Sequence, residues 1–131
     1  MDKKHVELLV VDDSSIDRMY LQLLVRSGKF EVTVVEYGEP QLAADAIVAQ
    51  GWPEILLVDI RMPLMTGFEL LDYLQEHAAA KPAHCQVYVY SSSSRIEDRD
   101  HAINHLLVND FIEKPVRKEH IAQMLAQAAI K

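Results

Sequence analysis

Asp59 closes an apolar run, Ile55-Leu56-Leu57-Val58, and opens the segment Ile60-Arg61-Met62-Pro63-Leu64-Met65-Thr66-Gly67. A carboxylate at the mouth of a buried strand is a ready nucleophile. Two acids, Asp12-Asp13, end a second apolar run, Leu8-Leu9-Val10-Val11, and Lys114-Pro115 closes a further strand-like segment. Three carboxylates brought close together repel one another, so their gathering invites a divalent cation. Hard oxygens suit Mg²⁺ or Mn²⁺; zinc would want clustered His or Cys. Lys114 supplies the opposite charge, an ammonium on a flexible stem that can follow phosphoryl oxygens or rest against Asp59. Ser91, after Val87-Tyr88-Val89-Tyr90, offers a hydroxyl to a phosphoryl oxygen. Nucleophile, metal acids, hydroxyl and lysine together are what phosphoryl transfer requires, because positioning and charge neutralisation carry most of its catalysis.

Each residue taken alone has a plainer reading. Asp12-Asp13 also fits an acid pair capping a helix and meeting its N-terminal dipole. Ser91 fits a capping serine, Lys114 a surface lysine at a strand end, and Phe111 a strand-core aromatic. Their common position in the chain's architecture favours the sharper reading.

That architecture is legible as alternation. Apolar runs at Val6 to Val11, Val32 to Glu36, Ile55 to Val58, Val87 to Tyr90 and Asp110 to Glu113 read as strands. Between them lie segments with helical spacing. Ser14-Ser15 offers an N-cap for a first helix carrying Ile16, Tyr20, Leu23 and Leu24 inward before Gly28. A second helix carries Leu42, Ala46 and Ile47 and ends at Gly51; a third starts after Thr66 and buries Phe68, Leu71 and Leu74. The fourth carries Ile96, Ile103 and Leu106, and the last Val116, Ile121, Met124, Leu125 and Ala128. Continuous apolar strands alternating with helices predict a doubly wound α/β domain, a five-stranded parallel sheet with helices on both faces. Ligands of such sheets bind beyond the carboxyl ends of the strands at the switch in strand order, which gathers Asp12, Asp13, Asp59, Ser91 and Lys114. Pro115 restricts Lys114 to extended backbone, and a cis bond there could aim its side chain into the pocket.

The chain has 131 residues, half of them hydrophobic, which suits one domain, residues 1–131, with one core. Its net charge of −7 argues against nonspecific binding to nucleic acid, and no direct DNA binding is expected. Cys85 is the single cysteine, so no intrachain disulfide forms. No stretch reads as a signal peptide or a membrane span, and a cytoplasmic location is expected. His101 and His105 lie four apart on the fourth helix, but with no third ligand nearby a solvated face is expected, as for the run Arg95 to Asp100. Tyr88 and Tyr90 read as buried against helices.

In order and spacing, Val10-Val11-Asp12-Asp13, Leu57-Val58-Asp59-Ile60-Arg61-Met62-Pro63-Leu64-Met65-Thr66-Gly67, Val87-Tyr88-Val89-Tyr90-Ser91-Ser92, and Asp110-Phe111-Ile112-Glu113-Lys114-Pro115 resemble a response-regulator receiver domain of bacterial two-component signalling. The resemblance covers essentially the whole chain and implies the flavodoxin-like (βα)₅ fold. It makes Asp59 the phosphoacceptor, taking a phosphoryl group from the phosphohistidine of a sensor histidine kinase or a histidine phosphotransfer protein. Asp13 and Asp59 would bind Mg²⁺, with Asp12 helping through water and the backbone carbonyl of Arg61 adding an oxygen. Ser91 and Phe111 would be the switch pair, Lys114 would pair with the phosphoryl group, and helix four, strand five and helix five would form the surface partners read. Receivers of this type also dimerise through that surface, so a homodimer is possible.

Four departures stand out. Arg61 and Ser93 occupy positions bordering the path of the hydrolytic water, and neither is a carboxylate or carboxamide, so slow autodephosphorylation is expected. Thr66 stands where many relatives have Asp or Asn, but it can still cap a helix. Leu107-Val108 replaces a common Gly-Ala. The residues after Pro115 suffice for a closing helix, and no output domain is expected. The reading is of a stand-alone regulator, not a turnover enzyme, that binds an unidentified target or passes its phosphoryl group onward. A phosphatase of the haloacid dehalogenase type would want a second acid two residues after its nucleophile, where this chain has Arg61. A degenerate receiver would lack an acid or the lysine, and all are present.

Overall fold

A computed structural model describes residues 6–92 and 95–129. Five strands alternate with five helices: β1 Glu7–Val11, α1 Ser15–Ser27, β2 Thr33–Tyr37, α2 Pro40–Gln50, β3 Ile55–Asp59, α3 Gly67–His77, β4 Gln86–Ser91, α4 Ile96–Asn104, β5 Asp110–Glu113 and α5 Lys118–Ala129. All neighbours in the sheet are parallel, in the order β2-β1-β3-β4-β5. The chain winds one way from β1 to β2 and the other way from β3 onward, so the switch in strand order falls between β1 and β3. Their ends carry Asp12 and Asp59.

The three central strands carry continuous apolar runs, Leu8 to Val11, Ile55 to Val58 and Val87 to Tyr90, because both of their faces are covered. Side chains alternate across the sheet. Leu8, Val10, Ile55, Leu57, Tyr88 and Tyr90 pack beneath α1 and α5, while Leu9, Val11, Leu56, Val58, Val87 and Val89 pack beneath α2, α3 and α4. Cys85, buried at the foot of β4, is among the latter, and burial pushes its thiol up to about 12. Among the described residues no helix is long and apolar enough to cross a membrane.

Helix ends follow the expected chemistry. The Ser14 hydroxyl accepts from the Asp17 N–H at 3.2 Å. Thr66 and Glu69 close a capping box: the Thr66 hydroxyl accepts from the Glu69 N–H at 3.1 Å, and the Thr66 N–H donates to the Glu69 carboxylate at 2.9 Å. α3 and α5 bury their expected residues, although Leu125 is only half-buried.

Three helices turn a different face inward. In α1 the buried residues are Leu21 and Val25, with Leu24 half-buried; Ile16 is 74% exposed, and Tyr20 and Leu23 also face outward. Both stripes have helical spacing, and polar anchors decide between them. Asp17 bonds Lys114 and Arg18 bonds the Asp12 carbonyl, which fixes the rotation that carries Leu21 and Val25, four and eight residues after Asp17, onto the sheet. α2 buries Ala43, Ala44 and Ile47, leaves Ala46 half-buried and turns Leu42 out, the small alanines permitting close approach.

α4 departs furthest. Ile96, Ile103 and Leu106 are 72%, 61% and 86% exposed, and the buried stripe is Asp98 and Ala102. The polar residues expected in solvent hold this helix in place. Asp98 pairs with Arg61, the His101 ring stacks on Phe68 at 3.7 Å between centroids, and His105 bonds the Asp72 carboxylate at 2.8 Å. His105 Nδ1 also accepts from the Leu107 N–H at 3.2 Å, which leaves Nε2 as the donor to Asp72. His105 is therefore a packing residue at the junction of α3 and α4, whereas His101 stacks on Phe68 and stays exposed, as expected of a solvated face.

Candidate functional site at the carboxyl end of the sheet

Register brings the site together. Val11 pairs with Val58 and Asp59 with Tyr90, so Asp12, Asp59 and Tyr90 form a row across β1, β3 and β4. Ser91 lies one residue beyond that row, and Lys114 follows β5 with its N–H donating to the Ser91 carbonyl at 2.9 Å. The Lys114–Pro115 peptide is cis.

Asp12, Asp13 and Asp59 each present a carboxylate oxygen to a common space, the three oxygens lying within 4.8 Å of one another. Asp12 and Asp59 are buried, whereas Asp13 is exposed. The Lys114 ammonium lies among acids: 3.0 Å from Asp12, 2.8 Å from Asp17 and 3.4 Å from Asp59. Burial works to lower the Lys114 pKa, but the hydrogen bonds it donates to Asp17 and Asp12 and the charge of Asp59 carry it above the ordinary lysine value. Asp59 is pushed up to about 7, first by burial and then by the charge of Asp12, against the opposing pull of Lys114. A carboxylate so destabilised by desolvation and a neighbouring acid marks a functional site.

The donor set fits a hard divalent cation: three carboxylates converge, and the one lysine among them leaves negative charge in excess. Asp12, Asp13 and Asp59 would hold the ion, and its charge would offset the burial of Asp59.

The loop following β3 is shaped by one close approach. The Gly67 N–H donates to the Ile60 carbonyl at 3.0 Å, and a β-carbon at Gly67 would collide with the Asp59 carbonyl oxygen. Within that loop Leu64 takes a φ of 72°, a left-handed conformation costing a residue with a β-carbon roughly 1–2 kcal/mol. Arg61 reaches away from β3 to α4, its guanidinium bonding both oxygens of the largely buried Asp98 at 3.0 and 2.8 Å. Ser91 is buried. Phe111 lies in the core on the α3 and α4 face, with the Arg99 guanidinium 4.9 Å from its ring centroid. Ser93 falls outside the described residues.

Asp12, Asp13, Asp59 and Lys114 thus converge as the sequence predicts, with Ser91 at the adjoining strand end and Phe111 set back in the core. Four contributors were not anticipated. Asp17 shares the Lys114 ammonium, Arg18 donates to the Asp12 carbonyl at 2.6 Å, Tyr90 donates its hydroxyl to Asp12 at 2.6 Å, and Asp98 holds Arg61. Tyr90 carried one readable signal: its place directly before Ser91, two residues from Tyr88, puts its side chain on the α1 and α5 face at a strand's end. Asp17 and Lys114 are too far apart in the chain for spacing to join them.

The profile of a family described as the response regulator receiver domain matches residues 8–126. The chain belongs to that family. A two-component response regulator of Oryza sativa subsp. japonica is 32% identical to this receiver over 123 residues, spanning 92% of this chain and 86% of the rice protein. Another, from Oryza sativa subsp. indica, is 31% identical over 120 residues, spanning 92% of this chain and 78% of its own length. Among solved structures, a two-component response regulator from Cytophaga hutchinsonii superposes with a TM-score of 0.87 at 23% identity, covering 98% of this chain and all of that one. That last likeness speaks for the flavodoxin-like receiver fold alone.

Proposed function

We propose that this receiver accepts a phosphoryl group on Asp59 in a Mg²⁺-dependent reaction, from the phosphohistidine of a sensor histidine kinase or a histidine phosphotransfer protein. The observation that carries the reading is the position of the Asp59 carboxylate, buried at a strand end between two further acids and 3.4 Å from the Lys114 ammonium. An Asp59 oxygen attacks phosphorus, the P–N bond breaks with its electron pair returning to the imidazole, which takes up a proton, and an aspartyl phosphate forms.

Mg²⁺, when bound, would supply positive charge that neutralises the phosphoryl oxygens. Asp13 and Asp59, the Arg61 backbone carbonyl and, more remotely, Asp12 would hold it. Lys114 already lies in the site and has only to exchange carboxylate partners for a phosphoryl oxygen. Ser91 donates its hydroxyl to the new phosphoryl group, and Phe111 packs behind it. The change is then passed to the surface of α4, β5 and α5 as a population shift that partners read, by binding or by onward phosphotransfer. Two contacts support a route to that surface: Arg61 with Asp98, and Arg99 with Phe111.

On this reading the protein is a cytoplasmic signalling device and no turnover enzyme. Arg61, drawn toward α4, leaves no carboxamide or carboxylate at its position to orient water, so the phosphoryl group is lost slowly. The apolar stripe Ile16, Met19, Tyr20 and Leu23 on the outer face of α1 offers the donor protein a docking surface beside the site. Intact mass after incubation with acetyl phosphate tests the core of the reading: one phosphoryl group is gained with Mg²⁺ and none after Asp59→Asn.

A further inference from the structure

We infer that Tyr90 is a positioning residue of this site, acting through Asp12: its hydroxyl occupies an Asp12 oxygen and so weakens the site's hold on Mg²⁺. The inference rests on the phosphoacceptor reading above and extends it to a residue outside the acids and the lysine.

Tyr90 is 2% exposed, and its hydroxyl donates to Asp12 Oδ2 over 2.6 Å, a length typical of a hydroxyl bonded to an ionised acceptor. Asp12 is wholly buried. The bond passes over β3, because β1 and β4 are separated by the strand that bears Asp59.

The occupancy of Asp12 follows by counting lone pairs. A carboxylate oxygen has two in-plane acceptor sites. Asp12 Oδ2 receives Tyr90 and, at 3.0 Å, Lys114; Oδ1 receives the Ser14 N–H at 3.0 Å. Among the described residues, these bonds fill Oδ2 and leave one site on Oδ1 for a cation or its water. Asp13 and Asp59 therefore carry the direct share of the binding. The Tyr90 ring serves the same arrangement from below, with the Lys114 ammonium 4.6 Å from its centroid. A buried tyrosine needs some acceptor. Here the acceptor is, among the described residues, the one acid that has no contact with solvent.

Tyr90→Phe keeps the ring beneath Lys114 and removes only the hydroxyl. It frees a lone pair on Asp12 and leaves the carboxylate less compensated, and both changes draw a cation in. Isothermal titration of the full chain with MgCl₂ should give a dissociation constant roughly fivefold lower than wild type, a modest part of what a hydrogen bond to a charged group contributes. In an Asp12→Asn background the same substitution should change the constant by less than about twofold, because the acceptor that transmits the effect is gone. Tyr90→Met, unbranched and without a hydroxyl, provides a second variant of the same sign should the phenylalanine protein fold poorly. A folded variant that binds Mg²⁺ as wild type does, or more weakly, overturns the inference, as does a fivefold tightening that persists without Asp12. A wild-type protein that binds no Mg²⁺ overturns the phosphoacceptor reading itself.

Discussion

Arg61 and Asp98 join the loop after β3 to the first turn of α4 through two hydrogen bonds from one guanidinium nitrogen. Asp98 is largely buried, while the Arg61 side chain is about half exposed, so solvent screens the attraction and the pair is worth little in itself. Its loss is asymmetric, because Arg61→Ala leaves a buried carboxylate without its partner. Urea unfolding should show a loss of about 1–2 kcal/mol for Arg61→Ala and recovery of most of it in Arg61→Ala/Asp98→Ala. A double variant no more stable than the single one would contradict this account of α4.

The pH dependence of stability follows from Asp59. Its carboxyl is pushed up to about 7 in the folded chain, against 3.8 for the ordinary group. A folded state that binds the proton more tightly draws stability from it fully below pH 3.8 and loses that contribution as pH rises through 7. With Mg²⁺ chelated, Asp59→Asn should therefore be more stable than wild type above about pH 7, by at most a few kcal/mol, with the gain shrinking toward pH 3.8. Denaturation midpoints collected across that range check the slope; a gain that does not change with pH would contradict it.

Gly67 is required by space. Its β-carbon would enter the Asp59 carbonyl and touch a Val58 methyl, both fixed by the central strand. Gly67→Ala should cost about 1–3 kcal/mol in thermal or urea unfolding, since the backbone bearing Asp59 must yield. A stability equal to wild type would mean that the loop after β3 relaxes freely.

The apolar stripe of α1 is exposed, so charging it should leave the fold alone. Ile16→Lys and Leu23→Glu should each remain within about 0.5 kcal/mol of wild type and take up phosphoryl groups from acetyl phosphate at the wild-type rate. Transfer from a phosphorylated histidine phosphotransfer protein should fall at least about tenfold, as expected for a hot spot removed from an interface. Undiminished transfer would place the donor elsewhere.

The sheet and the four charged residues of the site were legible because strand ends are marked by abrupt changes from apolar runs to charge, as at Val11-Asp12 and Val58-Asp59. The orientation of α1 and α4 was not. Ile16, Tyr20 and Leu23 have the same spacing as Leu21 and Val25, and only the long-range bonds of Asp17 and Arg18 select the second set. In α4 the apolar Ile96 and Ile103 face outward while Asp98 is held inward by Arg61 and the exposed His101 stacks on Phe68, partners on other elements that local periodicity cannot reveal. Tyr90 was read as a core residue, which its ring is; its hydroxyl belongs to the site.

The most direct test of the account is to locate the phosphoryl group chemically. Protein incubated with acetyl phosphate and MgCl₂ is treated with borohydride, which reduces an acyl phosphate to the alcohol, and its peptides are sequenced by mass. The account predicts homoserine in place of Asp59, absent when Mg²⁺ is chelated and absent from Asp59→Asn. Phosphoryl transfer to any other residue, or transfer to Asp59 that proceeds equally without Mg²⁺, would contradict it.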